Sequence, residues 1–280
     1  MDLDAFRERS LRTWDATAAG WEARHAFLER NVGHLSEWII ERISPEAGQV
    51  ILEVGAGPGD LGHRIAARVG PEGRVISTDF SPKMVEAARR LGARRGLVNV
   101  EYRRLDAEVM DLDDDSVDAV VGRSVYMLLG DPAAALRESR RVLRPGGSLA
   151  FTVFTTPDQN PWFAVPAAAL MQRGHLAPPP PGAPGIFALG NEGRIRELVD
   201  GAGFSEPLTE HVDFVFHHVD EHDAWNAIVD LHGPLAVIIA QLPDDERDAI
   251  RRAVLDGFGS FRDPDGSYRI RAGAVAVHAE

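Results

Sequence analysis

Residues 50 to 62 read Val-Ile-Leu-Glu-Val-Gly-Ala-Gly-Pro-Gly-Asp-Leu-Gly. An apolar run, Val50 to Leu52, stops at the carboxylate of Glu53 and passes into a cluster of glycines. That is how a buried parallel strand looks when it ends at a nucleotide-sized ligand. Gly55, Gly57 and Gly59 accept positive φ and carry no Cβ to hold a ligand off the backbone. The helix expected next presents free N–H groups at its start.

Outward from this turn the chain alternates strand and helix. The patterning predicts strands over 50–54, 74–78, 98–103, 117–122 and 148–154, with helices over 60–69, 82–95 and 132–143 between them. Ser81-Pro82 is a good N-cap and first-turn pair for the second helix. Arg144-Pro145-Gly146-Gly147 reads as a tight turn before the fifth strand. Such alternation implies a mostly parallel sheet with helices on both faces. Upstream, residues 4–43 carry apolar residues at helical spacing, with Gly20 and Asn31-Val32-Gly33 expected to break the segment. Downstream, 155–190 is rich in Pro, Gly and aromatics and is too long for an ordinary connection, so it reads as a lid or a floppy insertion. A helix over 191–202, a sixth strand over 209–217, two helices within 220–259 broken near Leu242-Pro243, and a last strand over 268–278 complete the pattern.

Composition narrows the functions. Acidic residues outnumber basic ones 43 to 30, for a net charge of −13. Nucleic-acid binding needs a basic face, so no nucleic-acid partner is expected. There is no cysteine, hence no disulfide framework, thiolate metal site or cysteine nucleophile. Asp2 and Asp4 without an apolar run argue against a signal peptide. No stretch is long and apolar enough for a membrane span, so no membrane partner is expected and a cytoplasmic location is the default.

Gly57, Gly59 and Gly62 formally match the G-x-G-x-x-G of dinucleotide sites. Glu53 separates the readings: a carboxylate two residues before the first glycine repels a pyrophosphate and attracts a sulfonium or an ammonium. The segment resembles motif I of the class I S-adenosylmethionine (SAM) dependent methyltransferases. Val117-Asp118-Ala119-Val120-Val121-Gly122-Arg123-Ser124 and Arg140 to Gly147 are similar to that family's fourth-strand and following-turn motifs. The likeness covers about residues 48–154 and extends in a generic way, without substrate information, to the subgroup related to the ubiquinone and menaquinone biosynthesis C-methyltransferases. It implies an α/β, Rossmann-like fold: a seven-stranded mostly parallel sheet, helices on both faces and the last strand antiparallel. It also implies one methyltransferase domain over 1–280, with a helical cap (1–47), a SAM-binding core (48–154) and acceptor-lid insertions (155–190 and 220–266).

What the resemblance implies for SAM can be stated by residue. Glu53, Gly55, Gly57 and Gly59 form the turn. Asp79, ending strand 2, accepts from the ribose hydroxyls, and Phe80 and Met84 flank the adenine. Asp106 accepts from the adenine amino group and the Ala107 N–H meets a ring nitrogen. Glu108 reads as exposed. Arg123 and Ser124 contribute backbone groups under the methionine part, with the Arg123 side chain pairing with the SAM carboxylate or the acceptor, or held in a structural ion pair. Trp14, Trp21 and His25 of the cap, with Trp162, Phe163 and Phe187 of the long insertion, either line the acceptor pocket or pack on the sheet. Strand spacing puts His217 and His218 on opposite faces, so one cation does not readily take both and no metal is expected. At the carboxyl edge of strand 6, one of them can deprotonate an acceptor hydroxyl; His211 is a weaker candidate. Asp113-Asp114-Asp115 reads as a solvated turn.

The expected activity is therefore methyl transfer from SAM to a small, partly hydrophobic molecule. The alternative is a SAM-binding protein of the same fold without transfer, and a homodimer is possible.

Overall fold

The computed structural model describes residues 2–280. Seven strands form one sheet: β1 (Val50–Glu53), β2 (Arg74–Asp79), β3 (Val100–Arg104), β4 (Val117–Arg123), β5 (Leu143–Phe154), β6 (Leu208–His218) and β7 (Tyr268–Ala279). Their order is β3-β2-β1-β4-β5-β7-β6. β1 to β5 pair in parallel, and β7 lies antiparallel between β5 and β6. The strand order reverses between β1 and β4, so a crevice opens outside their carboxyl ends, where open α/β sheets bind ligands. The ends of β1, β2, β4 and β6 all face that edge.

The central strands are apolar on both faces because helices cover both. Ile51, Val75, Ala119, Val121 and Ala150 pack with Ile39, Ile40, Leu61 and Ile65 from α2 (His25–Ile43) and α3 (Asp60–Val69). Leu52, Ile76, Val120 and Phe151 join the larger core on the other side.

Several sequence-based boundaries move. The cap is two continuous helices, α1 (Leu3–Ala23) and α2, joined at Arg24 and unbroken at Gly20 or at Asn31-Val32-Gly33. Those small residues serve packing. A Cβ on Gly20 would stand 2.6 Å from the Asp230 carbonyl, and one on Gly33 would stand 3.0 Å from the Arg64 guanidinium. Asn31 accepts from the His217 N–H at 2.7 Å, satisfying a donor of β6, the edge strand. Arg144 to Gly147 form an irregularity inside β5 rather than a turn before it, where the register on β4 shifts.

The insertion at 155–190 is not a floppy lid throughout. Pro161–Gln172 form a helix (α6) that buries Trp162 and Leu170, and only the stretch after it is irregular. After α7 (Glu192–Gly201) and β6 come three helices where two were expected: α8 (Glu221–Leu231), α9 (Pro234–Gln241) and α10 (Asp244–Gly257). The additional break falls at Gly233, whose φ of 48° and closeness to Trp14 (3.0 Å for a Cβ there) suit no larger residue.

α1 lies across the carboxyl edge and fixes the cap to the sheet's helices. Glu22 pairs with Arg90 (2.6 Å) and Arg94 (3.1 Å) on α4 (Pro82–Arg94). Beyond its end, Arg24 pairs with Asp223 (2.5 Å) and Asp230 (2.8 Å) on α8. Among the described residues, no helix is long and apolar enough to cross a membrane.

Candidate cofactor and acceptor site

The glycine turn after β1 holds Gly55, Gly57 and Gly59 at φ of 60°, 53° and 85°. A Cβ on Gly55 would collide with Val125 at 2.3 Å, so close packing adds to the conformational demand there. The Gly57 N–H donates to Asp79 Oδ2 (2.9 Å) and the Ser81 N–H to Asp79 Oδ1 (2.8 Å). One carboxylate thus joins the ends of β1 and β2, and each oxygen keeps a lone pair for a further donor. Burial pushes this carboxyl up to about 6, against the lowering effect of the backbone donors.

Glu53 departs from the expectation that it faces a positive ligand. Its side chain is 2% exposed and turned inward. Oε1 accepts from the Gly62 N–H (3.0 Å) and Oε2 from the Ser77 hydroxyl (2.8 Å). Burial pushes its carboxyl up to about 7. Glu53 therefore ties β1 to the first turn of α3 and to β2. Asp60, to which the sequence reading gives no role, is also fully buried. Its Oδ1 meets Arg95 at 3.2 Å and His25 Nδ1 at 4.0 Å. Its Oδ2 is buried without a protein partner, as are His25 Nδ1 and Trp21 Nε1.

Arg123 donates to Ser36 Oγ at 2.7 Å and faces Asp60 and Glu53, with burial lowering its pKa. Beside it Ser124 takes φ of 58°, a left-handed strain at the end of β4. His25, Glu29 and Asp60 converge closely enough to suggest a metal. Arg95 already bridges Glu29 (3.4 Å) and Asp60 (3.2 Å), so a guanidinium supplies the positive charge there. His63 was also missed: it sits under Gly59, bonded to Tyr102 (3.0 Å) and Arg95 (3.2 Å), and burial lowers it to about 4. No local pattern gives Asp60, Arg95 or His63 its role, because their partners come from other elements, such as His25 and Glu29 on α2 and Tyr102 on β3.

On the opposite side of Asp79, Met84 is buried and Phe80 lies half-buried beneath the Arg104 guanidinium. Asp106 accepts from the Glu108 N–H (2.9 Å) and Ala107 is buried. Glu108, expected at the surface, is instead buried. It accepts from Arg7 (2.5 Å) and from the N–H groups of Gly130 (2.7 Å) and Asp131 (3.1 Å), and so holds α1 over this loop. Asp113 to Asp115 stay at the surface as expected.

Trp21 lies over Gly57, its ring 3.7 Å from where a Cβ would be. Trp14 meets Trp21 edge-on at 5.8 Å and Gly233 on its far side. Next to Gly233 begins an aromatic box. Trp162 contacts Phe216 (3.8 Å between centroids), His232 (4.4 Å) and His218 (5.9 Å). Phe163 contacts Phe154 (4.6 Å) and His232 (5.1 Å), with Phe187 at its outer side (6.5 Å). Alternation along β6 sends Phe214, Phe216 and His218 to this face and leaves His217 exposed on the other. His211 lies earlier on β6, paired with Glu192 at 2.5 Å and well exposed.

Residues 45–175 match the family model described as a methyltransferase domain. The ubiquinone/menaquinone biosynthesis C-methyltransferase UbiE of Hahella chejuensis is 30% identical over 52% of this chain and 59% of its own length. UbiE of Coxiella burnetii is 28% identical over 82% of this chain and 91% of its own length. The chain spans 32%, 59% and 58% of the lengths of the first three curated relatives it matches. Among solved structures, a putative methyltransferase of Bacillus halodurans superposes with a TM-score of 0.56 at 19% identity, covering 87% of this chain and 97% of that one. The [4+2]-cyclase SpnF superposes with a TM-score of 0.55 at 20% identity, covering 88% and 80%.

Proposed function

We propose that this chain, a SAM-dependent methyltransferase of class I by its domain, its fold and its relatives, transfers the methyl group of SAM to a small, partly hydrophobic acceptor. One observation carries the reading: an unbroken path of contacts, Gly57 to Trp21 to Trp14 to Gly233, joins the glycine turn to the aromatic box.

The residues at the turn fit SAM. Each Asp79 oxygen accepts one backbone N–H and keeps a lone pair for a ribose hydroxyl. Asp60 Oδ2, buried and unpartnered, suits an ammonium, while Arg123 holds positive charge nearby for a carboxylate. Phe80 and Met84 flank the adenine, and Asp106 with the Ala107 N–H reads its edge. When bound, SAM supplies an electrophilic methyl group on a sulfonium. The chain's part is to hold the acceptor in line and to exclude water, which accounts for most of the rate in such a displacement. Trp14, Trp21, Trp162 and Phe163, with Phe187 at the rim, supply that apolar wall.

Of the two adjacent histidines, burial and the nearby Asp223 favour His218 as the proton acceptor. It is fully buried on the acceptor face, and its Nδ1 stands 3.6 Å from Asp223 Oδ2, itself fixed by Arg24. Burial keeps this imidazole unprotonated at neutral pH, and Asp223 stabilises the charge once a proton arrives. His217 is exposed and belongs to the edge of the sheet. The relatives named for quinone biosynthesis support a planar acceptor.

The test is transfer of label from methyl-tritiated SAM into extractable small molecules of a host lysate. Transfer that is lost in Asp79→Ala supports the reading; SAM binding by calorimetry with no labelled product from any extract counts against it. That second outcome favours the other reading, a SAM-fold protein without transfer, for which the [4+2]-cyclase on this fold is the specific support.

A further inference from the structure

The joint between α1 and α2 touches two distant parts of the molecule at once. Trp21, near the end of α1, lies over Gly57 at the glycine turn. Arg24, at the joint itself, reaches α8 through Asp223 (2.5 Å) and Asp230 (2.8 Å). Phe27, in the first turn of α2, stacks on the His218 ring at 5.0 Å between centroids. His218 is fully buried there, and neither of its ring nitrogens has a partner in the protein. The joint therefore does two things in one place: it covers this imidazole, and it ties α8 down beside it.

Asp223 is shared between the two. Its Oδ1 takes the Arg24 guanidinium. Its Oδ2 accepts from the Val219 N–H at 3.3 Å and stands 3.6 Å from His218 Nδ1, beyond hydrogen-bond range. A proton on that nitrogen would draw Oδ2 toward the ring and the carboxylate away from Arg24. It would also set a second cation near the guanidinium in a buried site. The other groups around the ring offer no further negative charge. Asp230 is already engaged by Arg24, and His232 comes in from the α8–α9 junction. His217 lies on the opposite face of β6, and Tyr268 is the partner in register on β7. Burial first, then Arg24 and His217, hold the His218 pKa down at about 4 against the pull of Asp223.

We propose that Arg24 is a latch between the α1–α2 joint and α8 that stays shut only while His218 is uncharged, so that a proton on His218 loosens the α8–α9 element. Linkage makes the effect reciprocal: whatever shuts the latch expels the proton, and whatever supplies the proton opens the latch. α9 follows α8 because it buries only Ala236 and Ile239 outright and turns on Gly233. The pH window follows from the two states. In the open state the imidazole is solvated and titrates near the ordinary value of about 6.5; in the shut state it titrates at about 4. The shut state is thus fully favoured above about 6.5 and loses ground as pH falls below it, by up to about tenfold per pH unit. Arg24 acts on His218 through Asp223 and is a positioning residue. If His218 takes a proton from the acceptor, the same latch releases the product side of the site; that consequence rests on the functional reading above, whereas the latch does not.

The test is hydrogen exchange by mass spectrometry on the full chain, corrected for the intrinsic effect of pH on exchange. It gives the opening of residues 221–241 at two pH values, 7 and 5 by choice of about the middle of the window. The wild type is expected to open at least about tenfold more at the lower pH. In His218→Phe, which keeps a stacked ring but takes no proton, the ratio should fall below about threefold. Arg24→Gln should exchange fast at both values. In spectra of ¹⁵N-histidine-labelled protein it should also move the His218 ring titration upward by at least about half a unit, since a neighbouring cation is gone. Equal opening of the wild type at the two values overturns the proposal. So does a rise that persists in His218→Phe, which would assign the proton to another group, and so does an unmoved His218 titration in Arg24→Gln. Should His218→Phe not fold, His218→Gln takes its place. None of these readouts uses methyl transfer, so a protein that shows the pH response and transfers no methyl group sinks the functional reading and leaves the latch standing.

Discussion

Both roles proposed for Asp79 call for the same ionised carboxylate, and burial works against it. It holds the turn through Gly57 and Ser81, and it is the carboxylate offered to the ribose hydroxyls. Charge-assisted hydrogen bonds contribute about 1.5–3 kcal/mol each, so Asp79→Ala is expected to weaken SAM binding at least tenfold by calorimetry. The pH dependence has a definite sign. The free carboxyl is raised to about 6, and hydroxyl donors favour its ionised form. SAM affinity should therefore rise as pH passes upward through 6, and Asp79→Asn should flatten that rise. An affinity independent of pH between 5 and 7.5 in the wild type would remove Asp79 from the site. Glu53 shows the limit of reading a residue from its type: the same carboxylate chemistry, two positions from the first glycine, is spent inside the fold on Gly62 and Ser77.

At the scale of elements, α1 depends on Gly20. Inside a helix, alanine ordinarily improves stability by about 1 kcal/mol over glycine. Here the added Cβ meets the Asp230 backbone at 2.6 Å, and overpacking of this kind costs about 1–3 kcal/mol. Gly20→Ala should lower the denaturant midpoint, and an increase would mean that α1 and α8 are not in such contact. The insertion divides into two regimes. α6 anchors Trp162 and Leu170 in the core, whereas the stretch from Arg173 to Phe187 carries the exposed prolines 178–181. Hydrogen exchange should show slow amides over 163–172 and fast ones over 173–187 without ligand. Uniform protection across both would contradict this division. Length and Pro, Gly and aromatic content suggest a lid or a floppy insertion over the whole segment; burial of one indole separates its first half from its second.

For the whole molecule, buried titratable groups of opposite kind set the response to pH. Glu53 and Asp79 have folded pKa values raised to about 7 and about 6, so their contribution to stability is present at low pH and is lost as pH rises through about 4.5 to 7. His63 and His232 are lowered to about 4 and about 3, so theirs is present above 6.5 and is lost as pH falls below it. The two slopes oppose each other between about pH 4.5 and 6.5. The wild-type melting temperature should be nearly level there. Glu53→Gln should make it climb with pH, and His232→Phe should tilt it the other way. Parallel profiles for all three proteins would show that these groups do not titrate in folding.

What the sequence by itself determined is what local chemistry encodes. The glycine turn, the strand–helix alternation and the acidic ends of β2 and β3 are written in contiguous residues, so the sheet, its mostly parallel sense and the positions of Asp79 and Asp106 were legible. So was the division of His217 and His218 between two faces, because a strand's period is two. What only the tertiary structure decided concerns partners far apart in the chain. Glycines 20 and 33 and Asn31 look like helix breakers until Asp230, Arg64 and β6 are seen against them. Glu108 looks like a surface residue until Arg7 and Gly130 reach it. His232 carried no signal at all, since a lone histidine before Gly-Pro reads as a loop residue. Its meaning arises from the meeting of α6, β6 and the α8–α9 junction, a juxtaposition set by side-chain packing that no periodicity records.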